Sequence, residues 1–332
     1  MLIRIFSAAT VAIALGLAAP PAKAQNAKAP TRDLPAAWNV GAVGVGHGED
    51  GKSPKTTAPN GMTIQIGEEG EAGVAYDLDL CRMVGAWTGK IGVPAQPASA
   101  TAHPTSVKDV VFATGGVAGF LAASAAATWA DPRPEAAGPL PEGHAHFEGF
   151  FVNRDQTILK WNIGGTEVME LPAYDVVLNG GGYFTRTFQV APSDQPLRIL
   201  VASDPQPDGP VDFLTHKRTE GEVIGLEGKE RVMQSTPWVH GDRGEVMIWA
   251  AGDPDGSMWR LINGELALEV PPRTKAITFQ IAYWTAPKSD PDGKTAPLFY
   301  REPEIDLAAL SRAGTWRTLP ASGVATAAKH SN

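Results

Sequence analysis

The chain has 332 residues and a formal net charge of −8 at pH 7, with lysines and arginines scattered rather than grouped in a basic run. This distribution excludes a surface that follows nucleic-acid phosphates, so no nucleic-acid partner is expected. The single cysteine, Cys81, excludes an internal disulfide, and the sequence has neither a Cys-x-x-Cys-His haem-attachment motif nor a Cys/His zinc pattern. No cofactor is therefore predicted.

The first 24 residues have the features of a secretory signal peptide. Arg4 supplies a positive charge, residues 5–19 are apolar but too short to span a membrane, and Ala22-Lys23-Ala24 is a small-residue cleavage site. We expect cleavage after Ala24 and a mature chain that is periplasmic or secreted. The polar, proline-bearing residues 25–36 predict a flexible linker.

Alternation of apolar and polar residues dominates the rest of the chain. In segments 62–66 and 159–163 every second residue is apolar, which predicts strands with one buried face. Gly164-Gly165 follows the second segment, and two glycines can adopt the positive φ angles of a tight hairpin turn. A further turn at 153–155 extends the prediction to a three-stranded meander over 146–171. Only a short helix, at 305–312, is predicted.

These patterns predict an all-β fold, an antiparallel β-sandwich, over residues 37–316. Two other arrangements remain open: a supersandwich, or two packed sandwich-like lobes with a boundary near residue 205. Asp-Pro and Asp-Gly pairs at 204–209, 253–256 and 290–293 predict turns, because two aspartates supply too few oxygen ligands for a calcium loop. Residues 317–332 are small and polar and predict a disordered tail.

Residues 110–130 carry no charge over a length sufficient for a membrane helix. However, Ala, Gly, Ser and Thr make up most of the segment, and Gly115-Gly116 would interrupt a helix. The segment is therefore predicted to be a small-residue loop or a tightly packed strand. No membrane span is expected after the signal peptide is removed.

The sequence AYDLDLCRMVGAWTG, residues 75–89, concentrates reactive side chains. As one continuous strand, it would place Asp77 and Asp79 on one face, about 6–7 Å apart along the strand. Such a pair could act in acid–base chemistry or hold a cation. The favoured alternative is a solvated strand face on which Asp79 pairs with Arg82, because structural ion pairs are common. Cys81 is predicted to be a half-buried core thiol rather than a nucleophile.

A second cluster begins at His144-Ala145-His146, which places two imidazoles on one strand face, a spacing that can bind a metal. No third ligand is identifiable, so no metal site is predicted. Glu148 would share the face of His146. The alternative is an ordinary polar strand edge.

Four segments carry a resemblance to a known family: VAYDLDLCRMVGAWTG, WADPRPEAAGPLPEGHAHFEGFFVNRDQTILKWNIGGTEVMELP, YFTRTFQV and DLAALSRAGTWRTLP. The chain resembles, over roughly residues 60–320, the exported bacterial domain of unknown function that opens large dehydrogenase-like proteins. In those proteins a propeller similar to sugar dehydrogenases follows, often with a c-type cytochrome domain, and the present sequence has neither after AGTWRTLP. His146 fits the family pattern, whereas His144 stands where a tryptophan is expected. The resemblance implies a periplasmic dehydrogenase or c-type cytochrome as partner, and it supplies no catalytic residues.

The leading hypothesis is an exported, non-catalytic β module that binds a carbohydrate-like ligand or docks to such a partner. Aromatic rings suit stacking on sugars, and arginine suits acidic groups. The candidate ligand-binding residues are Tyr76, Arg82, Trp87 and Trp161.

The rival hypothesis is a carbohydrate-active enzyme of the glycoside hydrolase or lyase type, which would use a carboxylate and histidine cluster. Its candidate catalytic residues are Asp77, Asp79, His146 and Glu148. A structural envelope protein is the third alternative.

Overall fold

Short alternating segments produce a structure built almost entirely of strands. The computed structural model describes residues 38–46, 56–89, 105–107, 110–122, 129–176, 182–203, 223–227, 230–233, 238–241, 244–252, 254–285 and 303–319. All of them belong to one compact unit, Arg32–Asn332. The predicted signal peptide and linker, the turns at 204–209 and 290–293, and residues 320–332 lie outside the described residues.

Twenty strands and one helix occur in these ranges. In chain order they are β1 (Trp38–Val45), β2 (Thr56–Ile66), β3 (Ala72–Asp77), β4 (Arg82–Thr88), β5 (Thr105–Val107), β6 (Val110–Ala113), β7 (Phe120–Ala122), β8 (Ala145–Asn153), β9 (Gln156–Ile163), β10 (Thr166–Val176), β11 (Gly182–Val190), β12 (Leu197–Ser203), β13 (Val223–Glu227), β14 (Glu230–Met233), β15 (Trp238–Gly241), β16 (Gly244–Ala251), β17 (Met258–Ile262), β18 (Glu265–Val270), β19 (Ile277–Thr285), α1 (Leu307–Ala313) and β20 (Thr315–Arg317).

The strands form three sheets. The first sheet has the order β5-β1-β2-β3-β4-β6, the central sheet β15-β16-β19-β11-β10-β9-β8-β20, and the third sheet β13-β14-β17-β18-β12-β7. Neighbouring strands are antiparallel except β1 and β5, which are parallel. Strands from both sides of residue 205 pair with each other, β11 with β19 and β12 with β18. The two halves of the chain therefore share two of the three sheets.

One face of the central sheet packs against both other sheets. The Trp161 ring in β9 lies 6.0 Å from that of Tyr76 in the first sheet and 5.9 Å from that of Phe120, at the edge of the third. A single apolar core runs through all three sheets, and Trp161 is completely buried within it. The predicted all-β sandwich is thus confirmed, because side chains of two sheets meet the inner face of a third.

The opposite face of the central sheet carries the helix. Leu307 of α1 packs against Ile158, Met169 and Leu171, which alternate with the inward-facing residues of their strands. Asp306 caps the helix by accepting a hydrogen bond from the Ala309 backbone N–H at 2.9 Å. The predicted helix at 305–312 is therefore confirmed, shifted by one or two residues.

The uncharged segment 110–130 forms strands, as predicted. Its residues 110–113 are β6 of the first sheet, residues 120–122 are β7 of the third, and residues 123–128 lie outside the described residues. Among the residues with described positions, no helix combines the length and the hydropathy that crossing a membrane requires. The small residues between β6 and β7 allow the chain to pass closely from the first sheet to the third.

The predicted meander is also present as β8, β9 and β10. Gly164 and Gly165 form the second turn with φ of 56° and 90°, and Arg154 in the first turn has φ of 57°. The side chains of β9 that alternation predicted to be buried do face the core. At the other end, Arg317, the first residue of the predicted tail, belongs to strand β20.

Candidate functional site

The segment 75–89 is a hairpin, not a continuous strand. Strand β3 ends at Asp77, β4 begins at Arg82, and these two residues face each other across the pair. The Asp77 Oδ1 accepts hydrogen bonds from the backbone N–H groups of Asp79 and Leu80, both at 3.1 Å, and this local bonding turns the chain. Cys81 completes the turn with φ of 52°. The expectation that Asp77 and Asp79 share one strand face is therefore wrong.

Arg82 is the centre of a buried polar network, which we call the hairpin network. Its Nη1 donates to the carbonyl and hydroxyl oxygens of Thr114, both at 3.1 Å, and to the Thr56 hydroxyl at 3.1 Å. Its Nη2 donates to the Thr57 carbonyl at 2.8 Å and to Asp77 Oδ2 at 3.4 Å. The side chain is 1% exposed, so its charge is matched inside the fold rather than by water.

Asp79 has a different partner from the one expected. Its Oδ1 accepts a hydrogen bond from Asn60 Nδ2 at 2.8 Å, and its carbonyl accepts one from the Leu140 N–H at 3.3 Å. The ion pair with Arg82 is formed by Asp77 instead. An ion pair with Arg82 is therefore present, as the structural alternative predicted, but it is buried in a hairpin rather than exposed on a solvated strand face.

Burial governs the ionisation of the hairpin. It raises the pKa of Asp77, an effect that the charge of Arg82 and the backbone N–H of Leu80 oppose. Burial also raises the pKa of Cys81 well above its ordinary value, and the negative charges of Asp77 and Asp79 raise it further. A thiolate is the reactive form of cysteine, so Cys81 is held in its unreactive form.

We expect Asp77→Ala to reduce the free energy of unfolding by about 1–3 kcal/mol, because two backbone N–H groups and Arg82 lose an acceptor. Asp77→Asn should cost less, since its amide oxygen can still accept from Asp79 and Leu80. Urea unfolding of both variants measures the difference. Equal stability of Asp77→Ala and the parent would contradict a structural role.

A second carboxylate, Glu265, joins the hairpin network to the third sheet. It accepts a short hydrogen bond from the Ser203 hydroxyl, whose oxygen in turn accepts from the Gly115 N–H. Burial raises the pKa of Glu265, while the Ser203 hydrogen bond and the charge of Arg82 oppose this effect. The folded chain therefore holds a proton here at a pH where the unfolded chain has released it.

This difference predicts a pH dependence of stability. The contribution of Glu265 is fully present below its ordinary pKa of 4.5 and is lost as the pH rises from there through the raised value. Glu265→Gln removes the titration, so its stability relative to the parent should increase across that window. Urea unfolding at intervals from about pH 4 to pH 8 measures the change.

Glu269, in the same strand, is a matched control with the opposite sign. Burial works to raise its pKa, but hydrogen bonds from Arg260 and Arg198 lower it overall. Its contribution is therefore present above the ordinary value of 4.5 and lost as the pH falls. Relative to the parent, Glu269→Gln should lose stability as the pH rises toward 4.5, which urea unfolding extended down to about pH 2 measures. If the stability of Glu265→Gln and that of Glu269→Gln, each relative to the parent, changed with pH in the same direction, the opposite pKa shifts of the two carboxylates would be contradicted.

His146 and Glu148 lie on β8, in a separate set of contacts. Glu148 stands at a bulge opposite β9, 3.2 Å from Lys160 Nζ, and accepts a weak hydrogen bond from Asn162 Nδ2 at 3.5 Å. Lys160 also pairs with Glu167 of β10 at 2.8 Å. These groups form a cross-strand ladder on the outer face of the central sheet. The structure therefore assigns three of the four catalytic candidates to two sets of partners, Asp77 and Asp79 to the hairpin and Glu148 to this ladder, and it places His146 opposite Asn162 of β9.

The four candidate ligand-binding residues are core residues. Tyr76, Arg82, Trp87 and Trp161 are 0%, 1%, 3% and 0% exposed. Tyr76 and Trp161 donate to Glu170, and Trp87 covers Gly73, where an added Cβ would lie 2.5 Å from the indole. None of these side chains presents a face to a ligand in this structure. We therefore do not assign them to binding.

An open cleft of about 880 Å³ lies where three connections converge. They are the β9–β10 turn, the β11–β12 loop and the β18–β19 loop, and we call this feature the loop cleft. Hydroxyl, amide and charged side chains line much of it. The polar members are Thr166, Ser193, Asp194, Gln195, Arg273, Thr274 and Lys275.

Hydrogen bonds tie the three connections of the loop cleft to one another. Ser193 and Arg273 exchange two backbone hydrogen bonds, at 2.9 and 2.7 Å, which tie the second loop to the third. The Thr166 hydroxyl donates to the Ser193 hydroxyl at 3.0 Å, which ties the first loop to the second. The three connections are thus held together before any ligand binds.

Sequence reasoning did not identify these residues. The two longer loops, APSDQP and PPRTKA, each follow an alternating strand and are rich in proline and polar residues, a pattern that indicates surface connections. Their convergence depends on the pairing of β11 with β19 and β12 with β18, between residues that are 62 to 101 positions apart in the sequence. Local pattern alone does not reveal that pairing.

Within the described ranges, no group of three or more His, Cys, Asp and Glu side chains is arranged to hold a metal ion. His144 and His146 are thus not joined there by further ligands of these types. The described polar side chains provide hydrogen-bonding groups in the loop cleft and form buried ion pairs in the core.

Comparison with known proteins finds one family that is similar to part of the chain. Residues 74–170 match a family described as a domain of unknown function (DUF6797). No curated protein and no solved structure matches the chain significantly. The matched residues run from β3 to Glu170, so they contain Asp77, Arg82, Trp161 and the β9–β10 turn of the loop cleft, and they end before its other two loops. This part of the chain is therefore similar to an uncharacterised domain family.

Proposed function

We propose that the chain is an exported, non-catalytic β module that binds a carbohydrate-like ligand in the loop cleft. The observation that carries this proposal is the cleft itself, in which three tied connections present hydroxyl, amide and charged groups to solvent. Sugar hydroxyls both donate and accept hydrogen bonds, and Thr166, Gln195 and Lys275 supply matching groups. Loops at one end of a β-sandwich are a common place for binding sites.

The candidate catalytic carboxylates are engaged by other groups of the protein, which supports a non-catalytic role. Asp77 is committed to Arg82 and to two backbone N–H groups, and Glu148 to Lys160. A general acid or base must reach its substrate, and a carboxylate that is 3% exposed does not. Export is supported by the signal-peptide features of residues 1–24.

The proposal is tested by isothermal titration of the mature chain with a panel of oligosaccharides. Gln195→Ala removes an exposed cleft amide, and we expect binding to weaken about 3–10-fold, the value of one hydrogen bond. Gln156→Ala, in the β8–β9 hairpin outside the cleft, is the matched control and should bind as the parent does. Release of hydrolysis or elimination products from any panel member would contradict the proposal.

A second candidate function, docking to a periplasmic dehydrogenase or c-type cytochrome, is favoured by the edge strand β20. All three of its residues are exposed, Trp316 by 41%, and among the described strands none pairs with its outer edge. A free edge with an exposed tryptophan suits strand addition by another protein. Capture of a haem protein from periplasm that Trp316→Ala abolishes, with sugar binding unchanged, would support docking; equal capture by variant and parent would contradict it.

A further inference from the structure

Arg273 in the loop cleft differs from the arginines of the core. The backbone of Arg273 is tied to Ser193, and its Nη1 donates to the Pro271 carbonyl at 3.0 Å. Its Nε and Nη2 are buried and have no hydrogen-bond acceptor among the residues that the structure describes. The core arginines Arg82 and Arg186 each have a carboxylate partner, Asp77 at 3.4 Å and Glu170 at 2.6 Å. Arg273 forms no ion pair with any carboxylate of the described chain.

Buried N–H groups without an acceptor are costly, and they are rare in folded proteins unless a ligand or water completes them. Nε and Nη2 form one side of the guanidinium, where two N–H bonds point in parallel. This side matches the two oxygens of a carboxylate. The fixed bond from Nη1 to Pro271 holds the opposite side of the group in place.

The charge around the loop cleft points to the same kind of ligand. Two cationic side chains, Arg273 and Lys275, line the cleft with one acidic side chain, Asp194. The chain as a whole has a net charge of −8, so the lining of the cleft, with two cations and one anion, differs in sign from the whole chain. A locally positive cleft attracts anions in preference to neutral molecules.

We propose that the loop cleft selects a sugar that carries a carboxylate, as in an oligosaccharide of uronic acids. The carboxylate accepts the Nε and Nη2 hydrogen bonds of Arg273, and Lys275 adds a point charge. Because both nitrogens are covered in the ligand-free chain, binding includes a shift of side chains in the loop 271–276. Thr166 and Gln195 bind the neutral hydroxyls. This inference rests on the proposed function and adds its ligand class.

Three related trisaccharides test the ligand class by isothermal titration of the mature chain: trigalacturonate, its methyl ester and galactotriose. The ester differs from the acid only in the blocked carboxylate. We expect the acid to bind at least about tenfold more tightly than the other two, with an affinity that falls as salt increases. Equal affinity for all three would overturn the carboxylate inference and leave the proposed function standing. No binding of any of the three would contradict both.

Variants of Arg273 test the contact itself. Arg273→Gln should abolish the preference for the acid, and Arg273→Lys should restore only part of it, because lysine keeps the charge without the parallel N–H pair. Arg312→Gln, an exposed arginine of the helix, is the matched control and should retain the preference. If Arg273→Gln does not fold, as judged by its thermal melt, Lys275→Gln replaces it and should reduce the preference. An unchanged preference in the folded variant would overturn the inference.

Discussion

Glu170→Ala should lower the free energy of unfolding by about 3–5 kcal/mol, the largest effect we expect for a single side-chain truncation in this chain. Glu170 is 0% exposed and accepts hydrogen bonds from Arg186 Nε at 2.6 Å, Tyr76 at 2.7 Å and Trp161 at 3.1 Å. Its removal leaves the Arg186 charge without a counterion and two further donors without an acceptor. Removing one partner of a buried ion pair is costly for this reason.

The effect extends beyond one strand because the pair joins all three sheets. Tyr76 belongs to the first sheet and Glu170 to the central one. Arg186 Nη1 donates to the Leu200 carbonyl of the third sheet at 2.9 Å, and the Tyr283 hydroxyl donates to the neighbouring Val201 carbonyl at 3.1 Å. The network therefore fixes the positions of the sheets relative to each other, in addition to satisfying its own charges.

Glu167→Ala is the matched control, on the same strand but on its outer face. Glu167 pairs with Lys160, and its side chain is 50% exposed, so its loss should cost at most about 1 kcal/mol. Glu170→Gln keeps one acceptor oxygen, so its loss in free energy of unfolding should lie between those of Glu170→Ala and Glu167→Ala. Chemical unfolding of the three variants gives the comparison. A cost for Glu170→Ala no larger than that for Glu167→Ala would contradict a central role for the network.

Gly119→Ala should be the second severe change, with a loss of about 3 kcal/mol or more. An added Cβ would lie 2.0 Å from the Cys81 carbonyl oxygen and 2.5 Å from the Arg82 Cα. These are backbone atoms, which cannot rotate away. The Gly119 N–H donates to the Leu80 carbonyl and its own carbonyl accepts from Leu200, both at 2.8 Å, so any shift would also strain the joint between the hairpin and the third sheet.

Gly116→Ala tests whether the lost space, rather than the lost glycine, matters. Gly116 lies three residues earlier in the same connection, and an added Cβ there meets nothing within 4 Å. We expect this variant to melt within a few degrees of the parent, whereas Gly119→Ala should melt far lower or not fold. Similar melting temperatures for the two variants would show that the close approach at Gly119 does not limit stability.

Local features of the sequence were sufficient to predict most of the strands. The Gly164-Gly165 turn and the alternation of β9 are encoded within about a dozen neighbouring residues, and both are found as predicted. The hairpin at 78–81 was missed because Leu78, Leu80 and Tyr76 continue an apolar alternation through the turn. What reverses the chain is the bonding of one carboxylate, Asp77 Oδ1, to two backbone N–H groups, and a strand pattern does not show this.

The buried ion pair had a signal in the sequence that was not used. Glu170 follows Val168 at the inward spacing of β10, and Arg186 stands between Phe184 and Phe188 at the inward spacing of β11. A charged residue at a position that alternation assigns to the core predicts a buried partner of opposite sign. Which charged residues meet, however, depends on the register of the paired strands. The loop cleft likewise depends on the pairing of strands that are distant in the sequence.

The most direct measurement is a map of backbone amide chemical shifts as the labelled mature chain is titrated with trigalacturonate. If the loop cleft is the binding site, the shifts should concentrate in residues 164–166, 193–195 and 273–277, with the hairpin at 77–82 unchanged. Shifts centred on Asp77, Asp79 and Arg82, or the appearance of cleaved sugar during the titration, would contradict a non-catalytic module that binds through its loops.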